Sequence, residues 1–415
     1  MALVVQKYGG SSLATPKLIL RVASRIEKLK KSGVDVVVVA SAMGNTTDHL
    51  LRLARKTVSH PSERELDMLL TAGERISMSL LAMALQDLNV SAISFTGSQS
   101  GIITTGDHTH ARILEIRPHR IREELARGKV VIIAGFQGVS HDREITTLGR
   151  GGSDTSAVAL AAALNADRCE ILTDVEGLYT ADPKRVPNAQ MISEITYDEA
   201  TEMANLGAKM HVRSIEVAKQ YGVKVRIASS ANETTFGTQL VGQGENVEQR
   251  QIRAIVTREG FVGFWITGNL SDVIGGLEEC GVSIRFVTHV KESIAVLCDR
   301  DQAVRVRRFL GEGKWEFTEV SAVGTVSAVG EGISLAAEWI PKFISLIGRV
   351  AGSPLLLASN SASITAAVSA DVLTRTAQAL HFELVEQKEK REIPLQEREK
   401  GDPLTGISQI FGGDV

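Results

Sequence analysis

Short apolar runs alternate with longer segments of helical periodicity through the first 240 residues. Between the first two runs, Thr15 is a candidate N-cap, Pro16 suits a first helical turn, and Gly33 follows the last periodic residue. The pattern predicts an α/β domain whose mostly parallel sheet is flanked by helices. The predicted strands cover residues 3–7, 35–41, 130–136, 169–173 and 224–229.

The pattern changes after a stretch rich in Gly and Glu at residues 242–251. Residues 266–310 predict the order strand, helix, strand, strand, helix, and residues 320–382 repeat that order. Two copies of a small α+β module are therefore expected. The predicted division is a first domain at 1–245, modules at 250–315 and 316–385, and a flexible charged tail at 386–415.

Composition narrows the class of protein. A chain of 415 residues with 43% hydrophobic and 23% charged residues is typical of two or three globular domains. A net charge of −3, with no basic run before the tail, argues against a nucleic-acid partner. The chain shows no basic leader and no apolar segment of the length of a membrane span, so no membrane association is expected. Three dispersed cysteines fit a reducing cytoplasm.

A glycine turn, KYGGSS at residues 7–12, follows the first predicted strand and precedes a helix. Bare glycine amides in such a turn can bind a phosphate group closely. The spacing matches neither a P-loop nor a GxGxxG fingerprint, so neither a P-loop NTPase nor a dinucleotide enzyme is indicated. Taken alone, this segment is better explained as an ordinary turn.

Two further polar clusters strengthen the phosphate hypothesis. LGRGGSDT at 148–155 precedes a helix predicted at 156–166; its glycines offer a second anion nest, and Arg150 offers a planar fork for a carboxylate. Asp154 and Thr155 are also suitable helix caps. TDVEGLYTADP at 173–183 leaves the end of an apolar strand, where α/β sheets bind ligands, although it also fits a plain loop.

Eight segments resemble the aspartokinase family in order and spacing, and together they cover residues 2–240: KYGGSS, SAMGNTTD, TAGERIS, FTGSQSG, AGFQGV, TTLGRGGSDT, LTDVEGLYTADP and LGAK. The resemblance implies the three-layer α/β/α amino-acid kinase sandwich, followed by two ferredoxin-like, ACT-like modules. It also implies phosphorylation of the side-chain carboxylate of L-aspartate by ATP with Mg²⁺. The product, 4-phospho-L-aspartate, is the first intermediate of lysine, threonine and methionine biosynthesis.

The resemblance also implies roles for individual residues. Lys7 would neutralise the transferring phosphoryl group and Asp154 would organise Lys7, while Glu74 would hold the substrate ammonium and Arg150 its α-carboxylate. The remaining predicted substrate contacts are Ser41, Thr47, Gly151, Gly152 and Ser153. The predicted ATP contacts are Tyr8, Gly9, Gly10, Ser11, Thr173, Asp174, Tyr179, Asp182, Lys184 and Lys209.

Some positions depart from the family pattern or stay outside it. Lys184 stands after Asp-Pro where the family commonly has Arg. His108 and His110 have HxH spacing, but no third ligand pattern accompanies them, so a solvated loop is expected and no metal-ligating residue is assigned.

The predicted modules resemble ACT domains, which bind lysine or threonine as feedback inhibitors and pair subunits. A homodimer or homotetramer is therefore expected. The family's Asp-Pro-Gly turn is replaced by residues 267–272, the second module lacks the usual Pro between 330 and 337, and Ser361 replaces a glutamate. Weakened or altered feedback is expected, with a dimer scaffold as the equal alternative.

Two other functions stay open. The first is a specialised paralogue acting on an aspartate analogue in a secondary pathway. The second is a catalytically silent effector-binding or scaffold protein, against which the retention of Lys7 and Asp154 argues.

Overall fold

The computed structural model describes residues 2–242, 251–313, 315–333 and 338–387. Two compact units make up the chain: the first is Met1–Tyr179 with Met191–Gln249, and the second is Thr180–Gln190 with Arg250–Val415. The predicted first domain kept 1–245 together, whereas the structure assigns Thr180–Gln190 to the second unit. The physical reason is burial, because Ala181 and Val186 lie in a hydrophobic core cluster of that unit.

The first unit contains a large sheet, a small sheet and the helices that cover them. Its strands are β1 (Leu3–Tyr8), β2 (Asp35–Ala40), β3 (Ala92–Phe95), β4 (Ile102–Thr104), β5 (Ile113–Ile116), β6 (Val130–Ala134), β7 (Gln137–Ser140), β8 (Ile145–Thr147), β9 (Arg168–Thr173), β10 (Glu194–Thr196), β11 (Val225–Ser229) and β12 (Thr238–Val241). Its helices are α1 (Pro16–Lys31), α2 (Thr46–Thr57), α3 (Glu63–Leu70), α4 (Ala72–Asp87), α5 (His119–Ala126), α6 (Gly152–Leu164), α7 (Tyr197–Leu206) and α8 (Val212–Tyr221).

The large sheet has the order β10-β12-β11-β9-β1-β2-β6-β3. Every neighbouring pair is parallel except β11 and β12, which confirms the predicted α/β class. All five predicted strands are present in it. Because β9, β1, β2 and β6 are adjacent and parallel, the loops that follow these four strands leave the same edge of the sheet.

Local chemistry explains the first helix. The Thr15 side chain accepts a hydrogen bond from the Leu18 amide, Pro16 occupies the first turn, and Gly33 adopts a φ of 86° after the last turn. Ile19, Val22 and Ile26 are buried on one face. The helix is therefore positioned by the apolar stripe that the sequence predicts.

The small sheet has the order β5-β4-β7-β8. The antiparallel pair of β7 and β8 leads directly into the glycine-rich segment at 149–152. This sheet therefore supports one side of the loop edge described above.

Residues 63–87 pass the length and composition test for a membrane span, which differs from the expectation that no segment would. Half of that span is buried inside the protein. It comprises α3 and α4, and Leu81 and Leu85 belong to a hydrophobic core cluster of the first unit. This packing accounts for the buried half of the span, whereas Ile76 and Met83 on α4 are 51% and 61% exposed.

The second unit contains β13 (Ala254–Thr267), α9 (Leu270–Glu279), β14 (Ile284–Val290), β15 (Ser293–Asp299), α10 (Ala303–Glu312), β16 (Glu316–Val329), α11 (Trp339–Val350), β17 (Leu356–Ser359), β18 (Ser363–Ser369) and α12 (Leu373–His381). The order strand, helix, strand, strand, helix occurs twice, as predicted. Its sheet has the order β14-β15-β13-β16-β18-β17. One continuous sheet therefore carries both repeats.

The division between the repeats differs from the predicted break near residue 315. Strand β13 is long enough to serve both: Val262, Phe264 and Ile266 pack under α9 and α10, whereas Ile255 packs with α11 and α12. The start of β13 thus belongs to the second repeat. The predicted tail lies outside the described residues from 388 onward.

Candidate active site

The first glycine turn lies at the ends of β1 and β9. The Gly9 amide donates to the Leu172 carbonyl oxygen at 3.1 Å. A Cβ atom at Gly10 would lie 2.9 Å from the Ala42 carbonyl oxygen, so only glycine allows the two loops to approach this closely. The Lys7 Nζ atom lies near Gly9, 3.6 Å from where a Cβ would stand. A lysine charge thus lies beside the first glycine turn.

The second glycine turn brings Asp154 to this lysine. Helix α6 begins at Gly152, earlier than the predicted start at 156, because Gly151 adopts a left-handed φ of 69° at the N-cap. Asp154 therefore lies inside the first turn. Its carboxylate pairs with Lys7 at 2.6 Å, and both side chains are largely buried, at 17% and 12% exposure. The structure thus joins the two predicted catalytic residues.

Glu74 is a buried carboxylate in the first turn of α4. Its Oε1 atom accepts from the Ala42 amide at 3.1 Å, while Oε2 is buried without a hydrogen-bond partner among the described residues. The residue is only 3% exposed, and burial raises the pKa of its carboxyl group to about 7. A buried carboxylate with a free acceptor atom is suited to binding a cation.

The other predicted substrate residues occupy the same loop edge. Ser41 follows β2, and its carbonyl oxygen accepts from Ser77 Oγ at 2.7 Å; Thr47 lies in the first turn of α2. Ser153 is buried under Gly135, where a Cβ would lie 2.6 Å from its Oγ atom. Arg150 is exposed, so its guanidinium is open to a ligand.

The predicted nucleotide residues at the end of β9 form a second group. Asp174 accepts from Thr173 Oγ1 at 3.1 Å and pairs with Lys209 at 3.4 Å. Partial burial acts to raise the pKa of Asp174, but the Thr173 hydroxyl and the Lys209 charge outweigh it and lower that pKa. The structure therefore brings Lys209, distant in sequence, to Thr173 and Asp174.

Glu176 links further groups near this end of β9. It accepts from Tyr179 OH at 3.4 Å and from Asn232 Nδ2 at 2.7 Å. Asn232 was not predicted as a site residue, since an isolated Asn after the β11 strand has no distinguishing sequence pattern.

Of the other predicted ATP residues, Tyr8 has a side chain that is completely buried in a hydrophobic core cluster of the first unit. Its hydroxyl group donates to Gln6 Oε1 at 3.0 Å, so the predicted ATP contact fails for that side chain. The alternation of β1 explains this, because Lys7 and Tyr8 face opposite sides of the sheet. Asp182 and Lys184 belong to the second unit, and their contact with a nucleotide stays a prediction.

His211, absent from the predicted site, packs directly against the second glycine turn. A Cβ at Gly151 would lie 2.1 Å from His211 Cδ2. Burial lowers the pKa of this imidazole, and the opposing charge of Asp154 only partly offsets that effect. The one available sequence signal was its position two residues after Lys209.

His108 departs from the expected solvated loop. Its Nδ1 atom lies 2.8 Å from Asp67 Oδ2, with the His108 side chain 19% exposed and the Asp67 side chain fully buried. Sequence spacing gave no reason to connect these two residues, which are 41 positions apart.

No group of three or more His, Cys, Asp or Glu side chains is arranged to hold a metal ion within the described parts of the chain. Mg²⁺ bound to a nucleotide does not require such a group, since it commonly uses phosphate oxygens, water and one or two carboxylates. The exposed carboxylate of Asp174 meets that smaller requirement.

Residues 2–229 match the profile of the Amino acid kinase family. The aspartokinase of Corynebacterium glutamicum is 44% identical over 406 residues, covering 92% of this chain and 96% of the relative. Aspartokinase 2 of Bacillus subtilis is 38% identical, covering 92% and 98%.

Solved structures agree with these sequence matches. The structure of E. coli aspartokinase III with aspartate and ADP has a TM-score of 0.76 and 25% identity, covering 92% of this chain and 99% of that one. Clostridium acetobutylicum aspartate kinase has a TM-score of 0.73 at 20% identity, covering 92% and 100%, and supports the fold.

Proposed function

Since this chain belongs to the aspartokinase family, within the amino acid kinases, we propose that it transfers the γ-phosphoryl group of ATP to the side-chain carboxylate of L-aspartate. A carboxylate oxygen of aspartate attacks the γ-phosphorus, the bond from that phosphorus to the bridging oxygen breaks, and ADP leaves with the bond's electrons. The product is 4-phospho-L-aspartate.

The observation that carries this proposal is the Lys7–Asp154 ion pair between two glycine-rich turns. Phosphoryl transfer chiefly needs positioning and stabilisation of charge on the transferring group. Lys7 supplies the positive charge, and Asp154 holds its ammonium group in place. Gly9, Gly10 and Ser11 line the path of the phosphates.

Two side chains of opposite charge bind the α-ammonium and α-carboxylate groups of the substrate. Glu74 accepts the α-ammonium group of aspartate through its free Oε2 atom, and Arg150 binds the α-carboxylate. Ser41, Thr47 and the 151–153 turn complete that contact surface. The side-chain carboxylate is then the end of aspartate left free to react with the nucleotide.

The nucleotide occupies the end of β9. Thr173, Asp174, Tyr179 and Lys209 are the proposed contacts, all of them in the first unit. Mg²⁺, when bound with the nucleotide, neutralises phosphate charge, and Asp174 is the carboxylate that would hold it.

A hydroxamate assay tests the reaction directly. The enzyme is incubated with ATP, Mg²⁺ and millimolar aspartate in the presence of hydroxylamine, which traps an acyl phosphate. We expect aspartyl hydroxamate together with ADP. ADP without hydroxamate would point to another acceptor, including an aspartate analogue. The absence of both ADP and hydroxamate would support a catalytically silent scaffold.

We also propose that feedback control is weakened or altered. At the start of α9, the Asn269 side chain accepts from the Ser271 and Asp272 amides at 2.9 and 3.3 Å. These are the amides at the turn where ACT-like modules would bind an effector carboxylate. Their engagement by Asn269 supports reduced binding of lysine or threonine there, and residues 334–337 of the second turn lie outside the described residues.

The same assay tests this proposal when lysine or threonine is added. Less than about twofold inhibition at millimolar effector supports weakened control. Inhibition of more than tenfold by either amino acid would contradict it.

A further inference from the structure

Asp67, on α3, is a fully buried carboxylate that no predicted role includes. Its oxygens accept from Thr147 Oγ1 at 2.5 Å and from the Thr109 amide at 3.1 Å, and Oδ2 lies 2.8 Å from His108 Nδ1. Burial of a carboxylate is unfavourable unless such donors surround it. The donors come from the end of β8 and from the loop between β4 and β5.

Thr147 and Thr109 lie next to the glycine-rich turn that carries Arg150. Thr147 ends β8, three residues before Arg150. Thr109 has a left-handed φ of 64°, and its carbonyl oxygen would be 3.0 Å from a Cβ at Gly149. The Asp67 carboxylate thus fixes both the strand that enters the turn and the loop that packs beneath it.

The other end of the connection leads to Glu74. The Thr71 amide donates to the Asp67 carbonyl oxygen at 3.1 Å, and the Thr71 carbonyl oxygen accepts from Gln137 Nε2 at 3.3 Å. Helix α4 starts at the next residue and carries Glu74 in its first turn. Asp67 is therefore connected both to the start of α4, which carries Glu74, and to the turn that carries Arg150. These are the two residues proposed to bind opposite ends of the substrate.

We propose that Asp67 is a positioning residue that sets the separation between Glu74 and Arg150, and hence the fit of an α-amino acid between them. This inference rests on the proposed function. Asp67 itself does not contact the substrate. Its effect comes through the Thr147 and Thr109 hydrogen bonds, and His108 completes the set of donors.

The test compares Asp67→Asn with the wild-type enzyme. Asparagine keeps the shape of the Asp67 side chain. Its NH₂ group, however, cannot accept a hydrogen bond, whereas both carboxylate oxygens of Asp67 do so in the wild-type protein. We expect the KM for aspartate to rise about tenfold to a hundredfold, since small misplacements of binding groups have such effects. The KM for ATP should stay within about twofold, because the residues at the end of β9 are not held by Asp67.

Two analogues that each lack one charged group of aspartate distinguish a changed Glu74–Arg150 separation from a general disruption of the site. Succinate lacks the ammonium group of aspartate, and β-alanine lacks its α-carboxylate. Each analogue is tested as a competitive inhibitor. Because it binds only one of the two residues, Glu74 or Arg150, its inhibition constant should change by less than about threefold in Asp67→Asn. Equal losses for aspartate and both analogues would overturn the spacing role.

Glu124→Gln is the matched control. Glu124 is another buried carboxylate of the first unit, paired with Arg127 and Lys129 at 2.6 Å. This variant should leave the KM for aspartate within about twofold of wild type. A rise equal to that of Asp67→Asn would overturn the inference.

If Asp67→Asn does not fold, Thr147→Val removes one donor while retaining the carboxylate. It should raise the KM for aspartate in the same direction by a smaller factor, and an unchanged KM would contradict the proposal. A wild-type enzyme that makes no hydroxamate would instead contradict the proposed function. The two failures are therefore distinguishable.

Discussion

At the residue scale, the ammonium group of Lys7 lies 2.6 Å from the Asp154 carboxylate and beside the first glycine turn. A charge placed there before the reaction stabilises a phosphoryl group without further rearrangement. We therefore expect Lys7 to contribute to the transition state more than to substrate binding, and this distinction can be measured.

Lys7→Ala should lower kcat by about 10²–10³-fold while changing the KM for aspartate by less than about threefold. Steady-state kinetics with hydroxamate detection give both constants. Lys17→Ala, at an exposed position on α1, is the control and should behave as wild type. Unchanged turnover in Lys7→Ala would remove Lys7 from the mechanism.

Glu74 predicts a pH dependence. Its raised pKa of about 7 means that, without substrate, the carboxyl group is mostly neutral below that pH and ionised above it. An ammonium ligand binds the ionised form, so the KM for aspartate should fall as the pH rises from about 6 to about 8. Initial rates across that range give the profile.

Glu74→Gln is the matched variant for this profile. It should show a higher KM for aspartate and no change of that KM between about pH 6 and pH 8, because an amide does not titrate in that range. A profile in Glu74→Gln that still follows the wild-type curve would assign the titration to another group.

At the element scale, the start of α6 decides whether Asp154 reaches Lys7. The helix begins at Gly152 because Gly151 adopts a left-handed conformation, with the His211 ring packed where a side chain would be. The turn, the helix start and the His211 ring therefore act together. A change at Gly151 should affect the site more than a change at an unobstructed glycine.

Gly151→Ala should reduce kcat/KM for aspartate by about 10²-fold, because a Cβ there would overlap His211 at 2.1 Å and misplace the turn. Gly33→Ala is matched in backbone conformation, with a φ of 86° and no atom near its added Cβ. It should lose about 1 kcal/mol of stability and keep kcat/KM. Equal kinetic losses in both variants would contradict the steric explanation.

At the scale of the whole molecule, the sheet of the second unit ends in strands β14 and β17. These edges expose Val287 and Leu357, at 50% and 37%. Exposed apolar edge strands favour association with another sheet. They favour the homodimer or homotetramer predicted from the sequence.

Light scattering on the purified protein should give about twice the 44.6 kDa mass of one chain, or about four times for a tetramer. Val287→Glu should shift the protein toward the monomer, because a charge on the edge opposes pairing. Val304→Glu is the matched control, because Val304 lies on α10 and is 60% exposed. This variant should not change the molecular mass of the assembly. A wild-type monomer would contradict the proposed assembly.

The sequence by itself determined five strands of the large sheet and the first helix of the first unit, and the repeated element order of the second unit. Period-two and β-branched runs specify buried strands, and the Thr15 cap, Pro16 and Gly33 specify α1, since these preferences act over a few neighbouring residues. The glycine turns at 7–12 and 149–155 were recognisable for the same reason, and with six further segments they carried the resemblance that implies a kinase.

Only the tertiary structure decided which side chains meet. Asp67 with His108, His211 with Gly151, and the placement of Thr180–Gln190 in the second unit depend on contacts between segments far apart in sequence. Tyr8 shows the reverse case: a residue inside a recognised motif is turned into the core by strand alternation. Local patterns specify elements, but burial and hydrogen bonding between elements determine the geometry of the site.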